Sequence, residues 1–477
     1  MFNFKTEPYA HQLEALKRSY DKRNYAYFME MGCGKSKVLI DNMVWLYEQG
    51  RIDTAVIVAP KGVYRNWETA EIPIHLPENI PHEVYVWNPN PNKSQARRLR
   101  DGVEKRGVLR ILLANVEGFA TKKLPAFVGA FTQGSSFLLG LDESTTIKNP
   151  KAKRTKTLVL FGKKAAYKRI LTGSPVTKSP MDLYSQCAFL DPDLLGFKSY
   201  WSFQYRYAMT RTQRMGNHSF TEIIGYRNLP ELTDKLGMFS YRVTKEEALD
   251  LPDKIYTTRE VSMTDDQRRH YSTLKGAAIA LLEGGEMVTA PEVMTKLLRM
   301  QQVLCGHLMT DDGELVEVKS NRVQALLDTI DEMTGSVIIW SRFRYDIKQI
   351  VRELKKAHGP GSVVSYFGDT KDEERQAAIK SFQAGEARFF VGNPQTAGFG
   401  LTLTAATNVI YYANDYNLAT RWQSEDRCHR IGQNHSVLYV DLVVPKTIDI
   451  NIVKALKSKI HLAGETLGEE VRKWLEV

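Results

Sequence analysis

The 477-residue sequence lacks long apolar runs, paired cysteine motifs, repeats and low-complexity tracts. No apolar run approaches the ~20 residues of a membrane-spanning helix, so we expect no membrane partner. The segment Met1–Glu7 lacks the apolar core of a secretory signal. We therefore expect an intracellular protein, cytoplasmic if its source is bacterial or a virus of bacteria. The four scattered cysteines show no metal-ligand spacing, and we expect reduced thiols.

Acidic residues are also absent from one long segment. Between Thr146 and Lys178 the chain has ten Lys or Arg and no Asp or Glu. This segment accounts for the net charge of +10, because the remaining 55 basic residues balance the 55 acidic ones. A local basic surface suits nucleic-acid phosphates, since neutralising them releases counterions whatever the base sequence. A solvated helix face is the alternative.

Two groups of apolar, strand-length runs are present. The first group is Thr54–Pro60, Arg110–Val116, Phe137–Asp142 and Lys168–Thr172, and the second is Val337–Ser341, Val363–Phe367, Phe389–Gly392, Val409–Tyr412 and Val437–Val443. Helix-period segments alternate with these runs, which predicts two doubly wound α/β lobes with parallel sheets. Between the groups, from about Asp191 to about Gly306, the pattern predicts long polar helices. Tyr256–Val261 is the only strong strand pattern there.

The segment Met31-Gly-Cys-Gly-Lys-Ser36 has the small residues, lysine and hydroxyl of a phosphate loop. It follows the apolar run Tyr25–Met29 and precedes the helix-compatible stretch Lys37–Glu48, so backbone N–H groups and a helix N-terminus would face the phosphates. Lys35 would then reach the β- and γ-phosphates, and Ser36 would hold Mg²⁺. Since Met29 replaces the distant glycine of the full pattern, a chance turn is the alternative for the loop taken alone.

One of the apolar runs ends in two adjacent carboxylates. Phe137-Leu-Leu-Gly-Leu-Asp-Glu143 has the pattern of a buried strand that delivers both at its C-terminal end, where open α/β sheets place their ligands. Neighbouring residues point in different directions there, so Asp142 can serve a metal ion while Glu143 addresses the attacking water. A solvated acidic turn is the alternative, which co-occurrence with a phosphate loop disfavours.

Five strings along the chain carry a family resemblance. They are Met29-Glu-Met-Gly-Cys-Gly-Lys-Ser36, Val58-Ala-Pro-Lys61 with Asn66-Trp67, Leu141-Asp-Glu-Ser144 with Ile147-Lys-Asn-Pro-Lys-Ala-Lys153, Leu171-Thr-Gly-Ser-Pro175, and Asp426-Arg-Cys-His-Arg-Ile-Gly-Gln433. In order and identity they resemble the motifs of the SWI/SNF-like branch of superfamily-two helicases. The resemblance runs from about Pro8 to about Lys459.

The resemblance implies a domain order and a set of ligands. It implies RecA-like lobe 1 at residues 1–190, a helical insertion and linker at 191–306, lobe 2 at 307–445 and brace helices at 446–477. ATP and Mg²⁺ would be the cofactors. Duplex or branched DNA would be bound mostly through its phosphate backbone, by a minimal, monomeric motor core with a protein partner as an option for targeting.

The resemblance also implies residue roles. The catalytic residues would be Lys35, Asp142, Glu143, Arg427 and Arg430; the nucleotide-binding residues Gln12, Gly32, Gly34, Lys35, Ser36 and Gly400; the Mg²⁺ ligands Ser36 and Asp142; and the DNA contacts Pro60, Lys61, Thr172, Arg342 and Thr402. If their segment is helical, Arg427 and Arg430 share one helix face and can converge on the γ-phosphate. For each DNA contact a turn or cap role is the alternative, as is an ordinary helix-face amide for Gln12.

Two positions depart from the family pattern. Ser144-Thr145 stands where the branch usually has alanine and histidine, and Thr145 cannot titrate near neutrality as a histidine would. This questions the coupling between the carboxylates and the Thr-Gly-Ser-Pro segment more than it questions hydrolysis. Asn417-Leu418 also replaces the usual Asn-Pro.

Aromatic residues are interleaved with cations in Tyr200-Trp-Ser-Phe-Gln-Tyr-Arg-Tyr207, with Arg211 and Arg214 beyond it. Such interleaving can stack bases, but aromatic stripes in helices are more often core, and we expect packing here.

The leading functional hypothesis is a DNA-stimulated ATPase that translocates along duplex DNA and remodels DNA or protein–DNA complexes. A branched-DNA helicase that unwinds, anneals or migrates forks is the alternative. A nucleic-acid-binding scaffold with a decayed ATPase is disfavoured, because the whole set of phosphate, metal, base and arginine residues is present. A small-molecule kinase is disfavoured as well, since it has no use for a second lobe ending in two arginines.

Overall fold

The computed structural model describes residues 4–61, 63–215, 218–283, 290–310, 312–370, 372–396 and 401–467. They group into two compact units. One unit holds the described residues of Met1–Met209, Ile224–Asp250 and Leu462–Glu470, and the other holds those of Thr210–Ile223 and Leu251–His461. Within the described residues, no helix combines the length and the apolarity needed to cross a membrane.

The first part of the chain forms strands and helices in near alternation. The strands are β1 Asn24–Met29, β2 Thr54–Ala59, β3 His82–Val86, β4 Leu109–Asn115, β5 Phe137–Asp142, β6 Tyr167–Leu171, β7 Ala208–Met215, β8 His218–Tyr226 and β9 Ser240–Val243. The helices are α1 Ala10–Ser19, α2 Lys35–Glu48, α3 Tyr64–Asn66, α4 Ile72–His75, α5 Lys93–Glu104, α6 Lys123–Phe131, α7 Lys153–Gly162, α8 Leu183–Leu190, α9 Tyr200–Tyr207, α10 Leu229–Gly237 and α11 Lys245–Ala248.

The first unit is built on a seven-stranded sheet in the order β3-β4-β2-β5-β6-β1-β9. All of its neighbouring strands run parallel. Every residue of β2 and β5 is buried, which explains why these strands are continuous apolar runs. Leu39 and Met43 of α2 pack with Ile57 of β2 in one core. Because the strands are parallel, their carboxyl ends meet at one edge of the sheet, where such folds bind ligands.

The rest of the chain repeats this design. The strands are β10 Lys254–Glu260, β11 His307–Met309, β12 Leu315–Glu317, β13 Ser336–Trp340, β14 Val363–Tyr366, β15 Phe389–Gly392, β16 Ala406–Tyr411 and β17 Val437–Val443. The helices are α12 Asp265–Glu283, α13 Ala290–Cys305, α14 Arg322–Asp331, α15 Arg344–His358, α16 Asp372–Gln383, α17 Leu418–Glu425 and α18 Ile448–Leu467. Six strands form a parallel sheet in the order β10-β17-β16-β13-β15-β14.

The prediction of two parallel-sheet α/β lobes is therefore confirmed. The expectation for the segment between the strand groups is partly wrong, because β7 and β8 pair as a two-stranded sheet there and β9 joins the first sheet beside β1. Most of the β7–β8 side chains that the structure describes are exposed, and the two strands lack the apolar alternation that signals a strand. The predicted strand Tyr256–Val261 is confirmed as β10, at the edge of the second sheet.

Candidate nucleotide site

The phosphate loop joins β1 to α2 through two glycines in the left-handed region. Gly32 has φ 86° and Gly34 has φ 77°, conformations that favour glycine. Helix α2 begins at Lys35, and Ser36 lies in its first turn, half-buried. The Lys35 ammonium is buried and donates to the Glu30 carbonyl oxygen at 3.3 Å. The loop thus directs the N-terminus of a 14-residue helix at the carboxyl edge of the sheet.

Helix α1 fixes the conformation of this loop. His11 Nε2 lies 2.9 Å from the Cys33 carbonyl oxygen, and Gln12 Nε2 donates to the same oxygen at 3.2 Å. The Gln12 amide oxygen accepts from the Tyr9 N–H at 3.0 Å. A Cβ on Gly34 would lie 2.1 Å from Gln12 Nε2. Gln12 therefore contacts the phosphate loop directly, and the absence of a side chain at Gly34 leaves space for the side-chain amide of Gln12.

The two predicted carboxylates lie at the end of β5, on the same edge as the loop. Trp67 Nε1 donates to Asp142 Oδ2 at 3.1 Å, and the Glu143 N–H donates to Asp142 Oδ1 at 2.9 Å. Burial raises the pKa of the Asp142 carboxyl above its ordinary value, while the Lys35 charge and these two hydrogen bonds lower it. Glu143 has φ 50° and ψ 58°, a left-handed conformation that costs a non-glycine residue about 1–2 kcal/mol. Such strain is concentrated at functional sites.

A hydrogen-bond relay connects the carboxylate turn to the Thr-Gly-Ser-Pro segment. Ser144 Oγ donates to Gln186 Oε1 at 2.6 Å, and Gln186 Nε2 donates to the Pro175 carbonyl oxygen at 2.8 Å. Ser144 and Gln186 are both fully buried. In the same segment, a Cβ on Gly173 would lie 2.8 Å from the Met31 N atom of the phosphate loop. A serine thus occupies a position where the resemblance leads one to expect alanine, and it bonds a glutamine that sequence reasoning missed.

The arginine segment of the second unit is not helical, so the condition under which Arg427 and Arg430 would share one helix face is not met. Helix α17 ends at Glu425, and residues 426–432 form successive turns. The two guanidinium groups nevertheless converge, because Arg427 Nη1 and Arg430 Nη1 each donate to the Leu401 carbonyl oxygen at 3.4 Å. Arg427 is buried and Arg430 half-buried.

A buried ion network holds the start of this turn. Arg421 Nε donates to Glu425 Oε1 at 2.8 Å, and Arg421 Nη1 donates to Asp441 Oδ1 at 2.5 Å. Glu425 Oε2 accepts from Lys254 Nζ at 3.1 Å and from the Tyr256 hydroxyl at 2.7 Å. Burial raises the pKa of Glu425, but the charges of Lys254 and Arg421 outweigh it and hold the pKa at about 2.

The turn also contacts the backbone just before β10. His429 Nε2 lies 2.7 Å from the Pro252 carbonyl oxygen, just before β10. Cys428 Sγ lies 3.3 Å from the Glu425 carbonyl oxygen, and Cys428 is buried like the other three cysteines, all of them free thiols. Among the described residues, no cluster of three or more His, Cys, Asp or Glu side chains could hold a metal ion.

Family models match both halves of the chain. Residues 11–309 match the SNF2-related domain, and residues 319–432 match the helicase conserved C-terminal domain. The chain belongs to the SNF2-related family.

Several SNF2-related relatives are similar over most of this chain. An uncharacterized ATP-dependent helicase of Mycoplasma genitalium is 24% identical over 93% of this chain and 40% of its own length. The chromodomain-helicase-DNA-binding protein 1-like of Mus musculus is 27% identical over 91% of this chain and 47% of its own length. The DNA annealing helicase and endonuclease ZRANB3 of Bos taurus is 26% identical over 92% of this chain and 38% of its own length. The chain thus spans less than half the length of these relatives.

Solved structures give a weaker likeness. The SWI2/SNF2 ATPase core of Sulfolobus solfataricus in complex with double-stranded DNA is 22% identical, covers 98% of this chain and 95% of its own, and superposes with a TM-score of 0.43.

The predicted DNA contacts of this SNF2-related chain lie at strand ends with different exposure. Pro60 and Lys61 follow β2, where Pro60 is buried and Lys61 exposed. Thr172 follows β6 and is fully buried, its hydroxyl accepting from the Ser174 N–H at 3.2 Å. Arg342 follows β13, half-buried, and donates to Gln301 Oε1 at 3.2 Å. Thr402 lies half-buried before β16.

Gly400, predicted to bind the nucleotide, lies outside the described residues. The departure at Asn417-Leu418 has a structural account: Asn417 Oδ1 accepts from the Ala419 N–H at 3.1 Å and so caps α17, while Leu418 is fully buried.

The basic segment 146–178 serves both surface and core. Lys151, Lys153, Lys156, Lys163, Lys164 and Lys178 are exposed. Arg169 is instead fully buried and donates to Asn42 Oδ1 and to the backbone carbonyls of Ser19, Lys22 and Arg23. The segment therefore presents a smaller positive surface than its ten charges suggest.

Proposed function

We propose that this protein is a DNA-stimulated ATPase that translocates along duplex DNA and remodels DNA or protein–DNA complexes. The observation that carries the proposal is the meeting of the phosphate loop and the Asp142–Glu143 pair at one edge of the first sheet. Membership in the SNF2-related family supports it, as does the exposed lysine surface of α7 and its flanks.

The residues of the first unit fit ATP and Mg²⁺. The loop between β1 and α2 offers backbone N–H groups at a helix N-terminus, and Lys35 is held beside it. Gln12 borders the loop, where it would recognise the base. Ser36 and Asp142 would hold Mg²⁺, each with an oxygen donor, the ligand type this ion prefers.

Bound ATP with Mg²⁺ would supply the phosphoryl group and neutralise part of its charge. Lys35 would hold the β- and γ-phosphates, and Glu143 would orient the attacking water and take its proton. Trp67 keeps the Asp142 carboxylate in one orientation by its 3.1 Å hydrogen bond. The left-handed conformation of Glu143 sets the direction of its side chain independently of Asp142.

Arg427 and Arg430 would stabilise the negative charge that spreads over the transferring phosphoryl group. Arginines supplied in this way are worth about 10³–10⁵ in rate in comparable phosphoryl-transfer enzymes. Their shared acceptor, the Leu401 carbonyl oxygen, supports a joint role because it brings both guanidinium groups to one place. Hydrolysis would thus depend on the second lobe delivering its arginines to the first.

Pro60, Lys61, Thr172, Arg342 and Thr402 would contact DNA phosphates, and Gly400 would lie by the nucleotide. Such contacts position the nucleic acid without reading its sequence. Alternating grip by the two lobes through the ATPase cycle would then move the protein along DNA. We propose that the monomer performs this cycle, with any protein partner serving to choose the target.

ATP hydrolysis measured without nucleic acid and with single-stranded DNA, blunt duplex, forked DNA and single-stranded RNA tests the proposal. Glu143→Gln serves as the blank. We expect blunt duplex DNA to stimulate turnover strongly. Stimulation by single-stranded RNA and not by duplex DNA would overturn the proposal.

A branched-DNA helicase is the second candidate. One 26% identical relative is a DNA annealing helicase and endonuclease, which favours this candidate. Stimulation confined to forked DNA in the same assay would support this candidate over a duplex translocase.

A further inference from the structure

Helix α9 divides its aromatic residues between two faces. Phe203 and Tyr207 are fully buried, which confirms packing for part of the stripe. Trp201 and Tyr205 lie four residues apart on another face, and they are 67% and 79% exposed. An exposed large aromatic pair on one helix face is unusual for surface that only meets water, because its burial elsewhere would be favourable.

The buried face holds the helix rigidly in place. The Phe203 ring lies 5.5 Å from the Tyr184 ring, 5.6 Å from the Phe197 ring and 4.9 Å from the Tyr207 ring. The Ser199 hydroxyl accepts from the Ser202 N–H at 3.1 Å and caps the first turn. The exposed rings are therefore carried on a supported helix, so little entropy is lost when a ligand packs on them.

One exposed ring is already stacked with a cation. The Arg227 guanidinium lies 5.6 Å from the centre of the Tyr205 ring, and Arg227 Nη2 donates to the Tyr205 carbonyl oxygen at 2.6 Å. The Tyr200 and Trp201 rings meet edge to face at 6.0 Å. Arginine and aromatic rings combined in this way are the elements that bind unstacked bases.

The surrounding charge favours an acidic ligand. Residues 194–209 of the first unit contain Lys198 and Arg206 and no Asp or Glu, and Arg227 of the same unit lies beside the Tyr205 ring. The nearest downstream acid on α10, Glu231, is engaged by Arg206, Lys235 and the Tyr207 hydroxyl. Exposed rings beside positive charge suit nucleic acid, because its bases stack on aromatic rings while its phosphates are attracted to cations.

We propose that Trp201 and Tyr205 form a stacking site for unpaired bases of single-stranded DNA, which in a branched substrate would be the single-stranded arm. The inference rests on the proposed function and adds the form of DNA that the insertion recognises. Stacking on aromatic side chains tolerates any base, since every base has a π face. A fork would thus be bound by the motor on its duplex and by α9 on its unpaired strand.

Binding of a fluorescein-labelled 30-nucleotide oligo-dT, a blunt duplex and a fork with a dT arm tests this site by fluorescence anisotropy. We expect the double substitution Trp201→Ala/Tyr205→Ala to weaken oligo-dT and fork binding on the order of 5- to 150-fold per base stacked, with blunt-duplex binding unchanged. Trp201→Phe, which keeps a ring, should retain most of the affinity. Met238→Ala removes another exposed apolar side chain and is the matched control.

Quenching of tryptophan fluorescence supplies a second readout. Oligo-dT should quench the wild-type emission, and Trp201→Phe should abolish that part of the quench while still binding. Equal binding of oligo-dT and fork by the wild type and the double variant would overturn the stacking site, and so would an equal loss on blunt duplex. If blunt duplex still stimulates ATP hydrolysis in that case, the proposed motor function stands; if no DNA stimulates it, the motor function itself fails.

Discussion

Replacing Glu425 by glutamine should destabilise the second lobe at neutral pH. The Glu425 carboxylate is 1% exposed and accepts from Arg421, Lys254 and Tyr256 at 2.8, 3.1 and 2.7 Å. Burial opposes its ionisation, but Lys254 and Arg421 lower its pKa from the ordinary value of 4.5 to about 2. That difference corresponds to about 3 kcal/mol of unfolding free energy, within the range for breaking a buried ion pair.

The pH dependence gives this prediction its sign. Because the folded-state pKa is lowered, the stabilisation is fully present above about pH 4.5 and is lost as the pH falls toward 2. Urea denaturation of the intact wild type and of Glu425→Gln should therefore show a gap of about 3 kcal/mol at pH 7 that narrows below pH 4.5.

An exposed ion pair in the same unit provides the control. Glu332 bonds Arg259 at 2.9 Å with both side chains substantially exposed, so Glu332→Gln should cost less than about 1 kcal/mol. A loss below about 1 kcal/mol for Glu425→Gln, or a gap that stays the same at pH 7 and pH 3, would refute the reasoning from burial and charge. The catalytic consequence follows from position: the turn with Arg427 and Arg430 begins at Glu425, so turnover should fall with stability.

Three further predictions concern the first lobe. Gly34→Ala should weaken ATP binding measured by calorimetry, because the added Cβ would lie 2.1 Å from Gln12 Nε2. Gly50→Ala, also at positive φ but with open space around it, should leave ATP affinity unchanged, and equal affinities for both variants would contradict the close-contact argument. Gln186→Leu should lower DNA stimulation of ATP hydrolysis more than DNA-free hydrolysis, because it removes the hydrogen bonds that connect Ser144 to Pro175. Adding Ser144→Ala to Gln186→Leu should lower the stimulation little further, and an additive loss would argue against a shared relay. Burial raises the pKa of Asp41 from 3.8 to about 6 against the effect of Lys37, so its contribution to stability is present below about pH 3.8 and is lost as the pH rises through about 6. Asp41→Asn should make the unfolding free energy from urea titrations less dependent on pH over this range, and an unchanged pH profile would contradict this prediction.

Both parallel sheets and the positions of the main motifs could be predicted from the amino-acid sequence. Buried parallel strands such as Phe137–Asp142 and Val437–Val443 are continuous apolar runs, and their structural bounds equal the predicted ones. The sequence pattern also predicted a loop of small residues between a strand and a helix, which the structure has between β1 and α2. The exposed β7–β8 pair was missed because polar strands carry no periodic apolar signal.

The side chains that support those motifs could be identified only from the folded chain. Gln186 is distant in sequence from Ser144, to which it bonds, and nothing in its own neighbourhood marks it as a partner. Trp67 belongs to a motif string, but its hydrogen bond to Asp142 depends on the folding of the chain. Arg427 and Arg430 both donate to the Leu401 carbonyl oxygen from a turn, whereas the argument from their spacing depended on a helix that the chain does not form there. Motifs are local and can be recognised in a linear sequence, whereas burial, shared acceptors and ion networks are set by which strands become neighbours when the chain folds.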